Sequence, residues 1–522
     1  MLGSVVMETL QAIYISSCIV CVILLSFLIK FFNKVWCTPM RIQSMMRSQG
    51  IKGPSYKLFY GNIKEIIHMT KRASSNSMEL SHQVFPTVLP HFQSWMNLYG
   101  KNFLWWEGPR AHLVFSEPEL IKEIFNNKDG AFYKPQPDNG YLQKLLGDGL
   151  AMTRVSEKWL KLRKLSNHAF HAESLKSMIS AMVTSVEMML ERWGHHEGNE
   201  IDVFKEFLVL GSEIICRSAF GSSYSEGQRT FDKIIQLILI IDRNKYRIKI
   251  PGIRYLMKTR DDVESDNIQN GIRNSIMNMI KKREEAAMFS QSNDYGSDFL
   301  GLLLKAHHDS DMTKRLAVEE IIDECKSFYH AGQGTTATLL SWIVFLLAVH
   351  TDWQAKARKE VIELFGQKNP SPDSLSRMKI VSMIINEALR LYSPVVTLPR
   401  EVRRQVRLGN LFLPANIIIE IPVIALHHDP EIWGEDVYLF KPERFAEGLA
   451  KATNNNVNAY LPFSLGPRSC VGYNFANTET KIALSMILQR YRFTLSPTYV
   501  HSPVQILAMC PQHGMQIVLH PV

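Results

Sequence analysis

The chain has 522 residues, 46% of them hydrophobic and 21% charged, so its composition can supply a large globular core. Its seven cysteines are scattered, with no CxxC pair outside the apolar N-terminus, which argues against a disulfide framework and a zinc site and indicates a reducing compartment. The net charge of +9 is modest for this length and suits anionic lipids or an acidic protein partner. Basic residues do not cluster with aromatic ones, so the sequence does not predict nucleic-acid binding.

The N-terminus predicts a membrane anchor rather than a buried core helix. No charged residue occurs from Ala12 to Ile29, and a helix of about 20 apolar residues is long enough to cross a bilayer. A cleaved signal peptide carries positive charge before its apolar run, whereas here only Glu8 precedes it. Basic residues follow the run, beginning at Lys30 and Lys34, so the positive-inside rule places the rest of the chain in the cytosol. We therefore predict residues 1–32 as an uncleaved, single-pass anchor.

Two further regions follow the anchor. Residues 33–54 form a basic linker that ends in Gly53-Pro54, and we expect it to lie against the membrane without continuing the helix. Beyond it we find no second uncharged apolar span of membrane-crossing length and no internal repeat. Residues 55–522 are therefore predicted to form one folded domain at the membrane surface.

The pattern of apolar residues predicts a mainly α-helical fold with a small β-sheet portion. Helical spacing is found in the segments Thr184–Trp193, Val203–Phe220, Phe231–Ile241, Ile268–Ala287, Ser374–Leu391 and Ala476–Tyr491. A longer helix is predicted from Ala317 to Val349, with an interruption near Ala331–Thr336. Short strands are predicted at Arg400–Leu413, Ile417–Val423 and Met515–Leu519.

The strongest chemical signal lies between Phe463 and Gly472, in the sequence FSLGPRSCVG. Haem iron needs an axial ligand, and a thiolate such as that of Cys470 pushes electron density onto the iron and favours O–O cleavage. A cysteine just before a helix receives backbone N–H groups and the positive end of the helix dipole, both of which lower the thiol pKa. Gly466 and Gly472 allow a tight backbone beneath a flat macrocycle, Arg468 can bind a haem propionate, and Phe463 can shield the sulfur. The alternative is an inert buried cysteine in a glycine turn.

A second motif, Glu387-Ala388-Leu389-Arg390, places an acid and a base on one face of a helix. Pairs of this kind are common and are usually solvated. Here Arg444, within the sequence PERF, supplies a second guanidinium before the cysteine loop. We predict a buried lock in which Arg390 and Arg444 hold the Glu387 carboxylate, and removal of one partner would be costly.

In their order and spacing, these motifs resemble those of cytochrome P450s. Trp159 and Arg163 match the family helix whose tryptophan and arginine reach the haem propionates, and Ala331–Thr336 matches the oxygen-binding kink of the long helix. Residues 49–54 and the segment from Pro394 to Arg400 are similar to those of a plant clan. That clan includes secologanin synthase and hydroxylases of brassinosteroids, gibberellins, cytokinins and triterpenoids.

The resemblance implies a P450 fold behind a single transmembrane helix, with residues 55–522 as the haem-binding catalytic domain. It implies a haem b with Cys470 as the iron ligand, and insertion of one oxygen atom of O2 into a lipophilic molecule of terpenoid, steroid or hormone type. It further implies the endoplasmic reticulum membrane as the location, and NADPH as the electron source through a separate P450 reductase. No GxGxxG fingerprint opens a βαβ unit in this chain, which agrees with a separate reductase.

The segments expected to form the substrate pocket are apolar, and plain core packing is the alternative for each of them. They are Asp138–Leu150, Phe204–Leu210, Leu237–Ile250 and Pro394–Pro399.

One position departs from the family pattern. The residue before the threonine pair is usually Asp or Glu, and here it is Gly334. In the family, the acid and the neighbouring alcohol relay protons to the oxygen substrate, so the usual relay is incomplete, although the Thr335 hydroxyl remains. Our hypothesis is that water fills the space of the missing side chain and carries the proton; the alternative is a harmless helix kink.

Histidines near these motifs invite a metal-site interpretation. His330 precedes the predicted kink, and His427-His428-Asp429 lies between a strand and a loop. No third ligand at metal spacing accompanies them, so we expect these side chains to satisfy backbone or surface contacts.

Two other functions remain compatible with the sequence. A haem-thiolate isomerase or dehydratase would use a peroxide and no reductase; Thr335 and a cysteine loop without an insertion favour the monooxygenase. The other is a catalytically silent membrane protein that binds a lipophilic ligand or a partner, and Gly334 gives it some support.

Overall fold

Helices dominate the fold. The structure is a computed structural model that describes residues 2–75, 77–136, 140–247, 258–289 and 294–522. Within these ranges the strands are short and form small sheets, so the predicted mainly α fold with a small β portion is confirmed.

The helices of the N-terminal part are α1 (Leu2–Phe32), α2 (Thr38–Ser48), α3 (Ile63–Ser74), α4 (Phe85–Val88), α5 (Pro90–Tyr99), α6 (Pro118–Asn126), α7 (Gly140–Leu146), α8 (Ser156–Ala169), α9 (Ala172–Gly194), α10 (Val203–Phe220), α11 (Tyr224–Arg243), α12 (Arg260–Phe289) and α13 (Phe299–His307). Those of the C-terminal part are α14 (Val318–Val349), α15 (Thr351–Phe365), α16 (Pro372–Ser376), α17 (Ile380–Leu391), α18 (Val423–His427), α19 (Pro430–Trp433), α20 (Leu449–Ala452) and α21 (Tyr473–Arg490).

The strands are β1 (Phe103–Glu107), β2 (Arg110–Val114), β3 (Phe132–Tyr133), β4 (Glu200–Asp202), β5 (Thr397–Val402), β6 (Val406–Leu408), β7 (Leu411–Leu413), β8 (Ile418–Pro422), β9 (Tyr491–Leu495), β10 (Pro503–Gln505), β11 (Met509–Pro511) and β12 (Gln516–Pro521). The largest sheet has five strands in the order β1-β2-β8-β5-β3, and a second has the order β4-β12-β9. In the larger sheet, β2 and β8 are parallel and the other neighbours are antiparallel. The predicted strand Arg400–Leu413 is instead the end of β5 followed by the hairpin β6–β7, because the chain reverses at Gly409 with a φ of 53°.

The N-terminal helix does not stop at the predicted end of the anchor. α1 continues through a π-helical stretch, Asn33–Cys37, directly into α2, so the expectation that the linker leaves the helix is wrong for residues 33–48. Pro39 lies in the first turn of α2 and has no backbone N–H to donate. The helix stays continuous there because the stretch just before it is π-helical. The helical course ends before Gly50, which takes a φ of 85°.

Part of this segment packs against the folded body. Val35 is 4% exposed and accepts a hydrogen bond from the Tyr56 hydroxyl, while the Tyr56 N–H donates to Gln43 Oε1 at 2.8 Å. In contrast, no residue of the most apolar stretch of the N-terminal helix is buried. Helix α14 is also long and apolar enough to cross a membrane, but 78% of its most apolar stretch is buried. Of these two helices, α14 is the core helix and α1 fits a membrane anchor.

The central helix α14 is continuous, so the predicted interruption near Ala331–Thr336 is wrong. Helix α10 crosses α14 there at close range. A Cβ on Gly332 would lie 2.8 Å from Ile215 Cδ1, and a Cβ on Gly211 would lie 2.9 Å from the Gln333 carbonyl oxygen. This packing outweighs the weak helix propensity of glycine, on which the predicted interruption rests.

The predicted helix Ser374–Leu391 is two helices, α16 and α17. A new helix begins because the Glu360 carboxylate of α15 accepts hydrogen bonds from the three backbone N–H groups of Lys379–Val381, at 2.7, 2.8 and 2.9 Å. The predicted helix Val203–Phe220 matches α10 at both ends, and the remaining predicted helices fall on α9, α11, α12 and α21.

A buried ion pair joins α17 to the chain that precedes the cysteine loop. Arg390 and Glu387 are both fully buried, and two hydrogen bonds of 2.8 and 2.7 Å connect the guanidinium to the carboxylate. Arg390 also donates to the carbonyls of His427 and Val437, at 3.0 and 2.7 Å. Arg444 Nε lies 3.5 Å from Glu387 Oε1, so the structure brings all three residues of the predicted lock together.

We expect Arg390→Met to lower the free energy of unfolding by about 3–5 kcal/mol, because it leaves the Glu387 carboxylate buried without its bidentate partner. Denaturant-induced unfolding followed by tryptophan fluorescence measures the change. The matched control is Asp352→Ala, which removes an exposed i,i+4 pair with Lys356 and should cost at most about 1 kcal/mol. Equal losses in the two variants would contradict the lock.

Candidate functional site

The predicted haem ligand, Cys470, lies in a tight loop just before α21. Its N–H donates to the Phe463 carbonyl at 2.9 Å, and the Ser469 N–H donates to the Gly466 carbonyl at 3.0 Å. Gly466 has a φ of 73°, and a Cβ there would lie 2.4 Å from the Phe125 carbonyl oxygen. The loop therefore requires glycine at this position, as predicted.

Gly472 and Phe463 make further contacts within the cysteine loop. Gly472 has a φ of −86°, which any residue adopts, and a Cβ there would lie 3.8 Å from Cys470 Sγ, an ordinary contact distance. The φ at Gly472 does not by itself require glycine, and the predicted role of this residue beneath the macrocycle stays a prediction. The Phe463 ring packs edge-on against Tyr473 with 4.8 Å between centroids, and its carbonyl accepts the hydrogen bond from Cys470.

Cys470 combines an exposed side chain with a position deep in the protein, so its sulfur borders an interior space. Burial raises the pKa of the thiol, and the Gly472 N–H and the cations of Arg163 and Lys134 offset only part of that rise. The Gly472 N–H lowers this pKa, as predicted for the loop, but burial is the larger effect, so the net shift is upward.

Helix α8 brings both of its predicted residues to the cysteine loop. Arg163 donates to the Ser469 carbonyl at 2.6 Å. The Arg468 guanidinium lies over the Trp159 ring, 4.8 Å from the ring centroid, and donates to the Thr153 carbonyl at 3.0 Å. Trp159 and Arg163 are four residues apart on one helix face, so α8 holds the loop at two points.

Two further cations, Lys134 and Arg400, belong to the same site, and no sequence motif indicates them. Lys134 follows β3 and Arg400 belongs to β5, so nothing in the cysteine motif points to them. Burial and the charges of Arg400 and Arg468 lower the pKa of Lys134 to about 7. Burial and the charge of Arg468 lower the pKa of Arg400 to about 9. This mutual repulsion means that the three cations share one enclosed space.

The charge balance of this space fits an anionic ligand. We define the cation group as Lys134, Arg163, Arg400 and Arg468. In the described part of the chain, none of its members forms an ion pair with a carboxylate, and Glu401, next to Arg400, is paired with Arg110 and Arg154 at 3.3 and 3.0 Å. A haem carries two propionate carboxylates and needs an axial ligand, so the cation group and Cys470 together fit a haem.

The centre of α14 has an open face that borders an interior space. The helix is buried along most of its length, but a few central positions are exposed or partly exposed. They are His330, Ala331, Gly332, Gly334 and Thr335. At 3.6 residues per turn, all of these except Gly332 lie within an arc of about 140°, which is the open face. Gly332, although partly exposed, and the buried Gln333 lie on the opposite side, against α10.

Gly334 and Thr335, the predicted oxygen-side residues, both lie on the open face of α14. Thr335 Oγ1 donates to the Ala331 carbonyl at 2.8 Å, which leaves its lone pairs to accept a hydrogen bond. A Cβ on Gly334 would meet no atom within 4 Å. The position therefore has room for a larger side chain or for water.

A buried acid lies nearby, on the other side of α14. Glu479 belongs to α21 and approaches Thr336; burial raises the pKa of its carboxyl well above the usual range, and Thr336 offsets only part of that rise. Thr336 is 2% exposed and does not belong to the open face. Because it approaches the buried Thr336 and not the open face, Glu479 does not replace the acid that is missing at Gly334.

Of the four segments predicted to form the substrate pocket, the structure assigns one to the core and leaves three as predictions. Phe204–Leu210 belongs to α10, where Phe207 and Leu210 are fully buried, and α10 packs on the closed side of α14, so this segment is core packing. Asp138–Leu150 and Leu237–Ile250 lie partly outside the described residues. These two, with Pro394–Pro399, stay predictions.

The loop before α8 is fixed to α14 by acidic side chains. The Asp148 N–H donates to Asp323 Oδ2 at 2.8 Å, and the Leu150 N–H donates to the Glu324 carboxyl. Burial raises the pKa of Glu324 to about 8, so this carboxyl is neutral at physiological pH. The contacts position the loop that leads into α8 and its two site residues.

His427 and His428 make backbone contacts, as expected. His427 Nε2 accepts from the Leu461 N–H at 3.0 Å, and His428 Nε2 hydrogen-bonds the Leu391 carbonyl at 3.1 Å. His330 differs, because it lies on the open face of α14 and makes no such contact with any residue that the structure describes. For His330 the expectation of a backbone or surface contact is therefore wrong.

Comparisons with known proteins agree with this geometry. The family model described as Cytochrome P450 matches residues 82–518. The chain is 55% identical over 504 residues to "Cytochrome P450 CYP749A22" of Panax ginseng, covering 96% of each protein. It is 40% identical over 501 residues to the "11-oxo-beta-amyrin 30-oxidase" of Glycyrrhiza uralensis, covering 94% of each. It is 39% identical over 518 residues to the "Echinocystic acid 23-monooxygenase" of Saponaria officinalis, covering 96% of this chain and 98% of the relative.

The family model spans most of the chain, and these plant relatives match it almost from end to end. The cysteine loop, the cation group and the buried lock lie within the matched region. The chain therefore belongs to the cytochrome P450 family, as a plant haem-thiolate monooxygenase that oxidises lipophilic molecules.

Proposed function

We propose that this P450 inserts one oxygen atom of O2 into a lipophilic molecule of triterpenoid or steroid size, with electrons from NADPH delivered by a separate, membrane-bound P450 reductase. The observation that carries the proposal is the cation group, which shares an enclosed space with the Cys470 thiol and has no carboxylate partner among the described residues. Cations and a thiol in one enclosed space suit a metal porphyrin that carries two carboxylates.

In this proposal the Cys470 thiolate would hold the haem iron. Coordination to a metal deprotonates a thiol, which overcomes the effect of burial on the Cys470 pKa. The cation group binds the propionates, and Trp159 supports the Arg468 guanidinium from its ring face. Gly466 and the Phe463 carbonyl hold the loop in place, and we still expect the Phe463 ring to shield the sulfur. When bound, the haem supplies the activation of O2 that oxygen insertion requires.

Residues on the open face of α14 hold and move the proton that oxygen activation needs. The Thr335 hydroxyl donates to the Ala331 carbonyl and can accept a hydrogen bond from a water beside Gly334. Since a Cβ on Gly334 would meet nothing within 4 Å, the space there is open to that water. Thr335 passes a proton on by releasing its bond to Ala331, so water and alcohol together replace the usual acid and alcohol.

The relatives support a triterpenoid-like substrate. Two of them, at 40% and 39% identity, are named as an oxidase of 11-oxo-beta-amyrin and a monooxygenase of echinocystic acid. On the open face of α14, Ala331 and Gly334 offer an apolar, uncrowded surface to a rigid ring system.

We also propose the division of the chain and its orientation. Residues 1–32 span the endoplasmic reticulum membrane once, residues 33–54 lie at its surface, and residues 55–522 form the catalytic domain in the cytosol. The exposed apolar stretch of α1 and the basic residues after it support this orientation. The contact between Val35 and Tyr56 holds the catalytic domain close to the membrane, from which a lipophilic substrate enters.

Gly334→Glu should leave the product unchanged and alter the rate, or the coupling of NADPH use to product, by roughly tenfold. The added carboxyl enters open space and offers the oxygen side a second proton carrier. Product identity by mass spectrometry, NADPH consumption and peroxide release are measured together.

The matched control is Gly334→Gln, which has the same size without an ionisable proton. The glutamine side chain should fill the space and displace the water. The coupling of NADPH use to product should therefore fall in the Gly334→Gln variant and not in the Gly334→Glu variant. A new product from the Glu variant, or identical effects of Glu and Gln, would contradict the water relay.

The function itself is tested with microsomes that contain the chain and a P450 reductase. With NADPH and isotopically labelled O2, at least one compound from a panel of terpenoids, steroids, plant hormones and fatty acids should gain one labelled oxygen atom. Turnover driven by peroxide, without NADPH and without oxygen incorporation, would instead indicate an isomerase or dehydratase. A sample without the Soret band of thiolate-ligated haem would indicate a silent ligand-binding protein.

A further inference from the structure

His330 is a polar side chain on the open face of α14 that has no hydrogen-bond partner among the described residues. It is partly exposed to the interior, and burial lowers the pKa of its imidazole to about 4. It forms no hydrogen bond or ion pair with the residues that the structure describes. At physiological pH the ring is therefore neutral, with one nitrogen as a donor and the other as an acceptor.

The surroundings of His330 on the open face are apolar. Ala331 and Gly334, one position and one turn away, carry no polar side chain, and Phe328, two positions before His330, is 8% exposed. A hydrogen-bonding group in an apolar enclosure costs free energy unless a partner satisfies it. Nothing on the open face near His330 does so, which leaves its ring nitrogens available to a ligand.

His330 is badly placed to replace the missing acid at Gly334. Five residues separate it from Thr335, which corresponds to about 7.5 Å along the helix axis. Helical side chains lean towards the N-terminus, so the imidazole points further away from the Thr335 hydroxyl. The two polar side chains of the open face thus lie at opposite ends of it.

We propose that His330 binds a hydroxyl or carbonyl oxygen of the substrate, at the end of the pocket away from the carbon that is oxidised. This inference rests on the proposed function and narrows its substrate class to lipophilic molecules that already carry oxygen. An earlier oxygenation of the hydrocarbon skeleton must then supply the substrate. Two relatives are named for oxygen-bearing substrates, 11-oxo-beta-amyrin and echinocystic acid, which agrees with this order of reactions.

The test compares binding of matched oleanane triterpenes to the haem-loaded enzyme by calorimetry. The probes are olean-12-ene, which carries no oxygen, its alcohol β-amyrin, and 11-oxo-β-amyrin. His330→Phe keeps a flat ring without donor or acceptor, and it should weaken binding of at least one oxygen-bearing probe on the order of tenfold to a hundredfold. Its affinity for olean-12-ene should be unchanged or higher.

The control variant is His330→Gln, which keeps a donor and an acceptor and should recover most of the lost affinity. The Soret band of the carbon-monoxide-treated, reduced enzyme should be the same in all variants, which separates loss of ligand binding from damage to the haem site. Equal losses for all probes, or no loss for any, would overturn the role of His330 and leave the proposed function standing.

Two further outcomes are decisive. If the wild type binds none of the probes, the triterpenoid class is wrong and this inference falls with it. If His330→Phe increases peroxide release while every dissociation constant stays the same, His330 serves proton delivery and the substrate-binding role is excluded.

Discussion

Positive charge is concentrated beside Cys470, and no carboxylate among the described residues pairs with it. Burial is the main cause that lowers the pKa of Lys134 to about 7 and that of Arg400 to about 9, and repulsion between like charges in these enclosed surroundings adds to it. A bound dianion turns the repulsion into attraction, and a haem brings two propionates to the same place where it needs a thiolate. The buried lock, the turn at Gly466 and the contacts of α8 serve to position these groups.

The two sides of α14 differ for a physical reason. On one side, Gly332 has no side chain because Ile215 of α10 occupies the space where a Cβ would be. On the other side, Gly334 faces open space and leaves room for water beside Thr335. The same residue type therefore permits close packing at one position and solvent access two positions later. Because α10 holds the helix regular at Gly332, the open face keeps its shape although it has few contacts of its own.

The sequence predicted those parts of the site whose residues are close in the chain and chemically specific, such as the Cys470 loop and its glycine turn. It missed Lys134 and Arg400, because each is a lone basic residue in or after a short strand and only the sheet brings them to the cysteine loop. Helix ends were mispredicted where a distant group decides them, as Glu360 does for α17. His330 was misjudged because a sequence does not reveal which side of a buried helix borders a cavity.

The absorption spectrum of the Cys470→Ser variant tests most directly whether this sulfur binds the haem iron. Reduced and treated with carbon monoxide, the purified variant should lose the Soret band of thiolate-ligated haem, because serine offers no thiolate. Cys37→Ser, which changes a half-buried thiol at the end of the π-helical stretch, should keep that band. An unaltered thiolate-type band in Cys470→Ser would contradict the assignment of the iron ligand and, with it, the proposed chemistry.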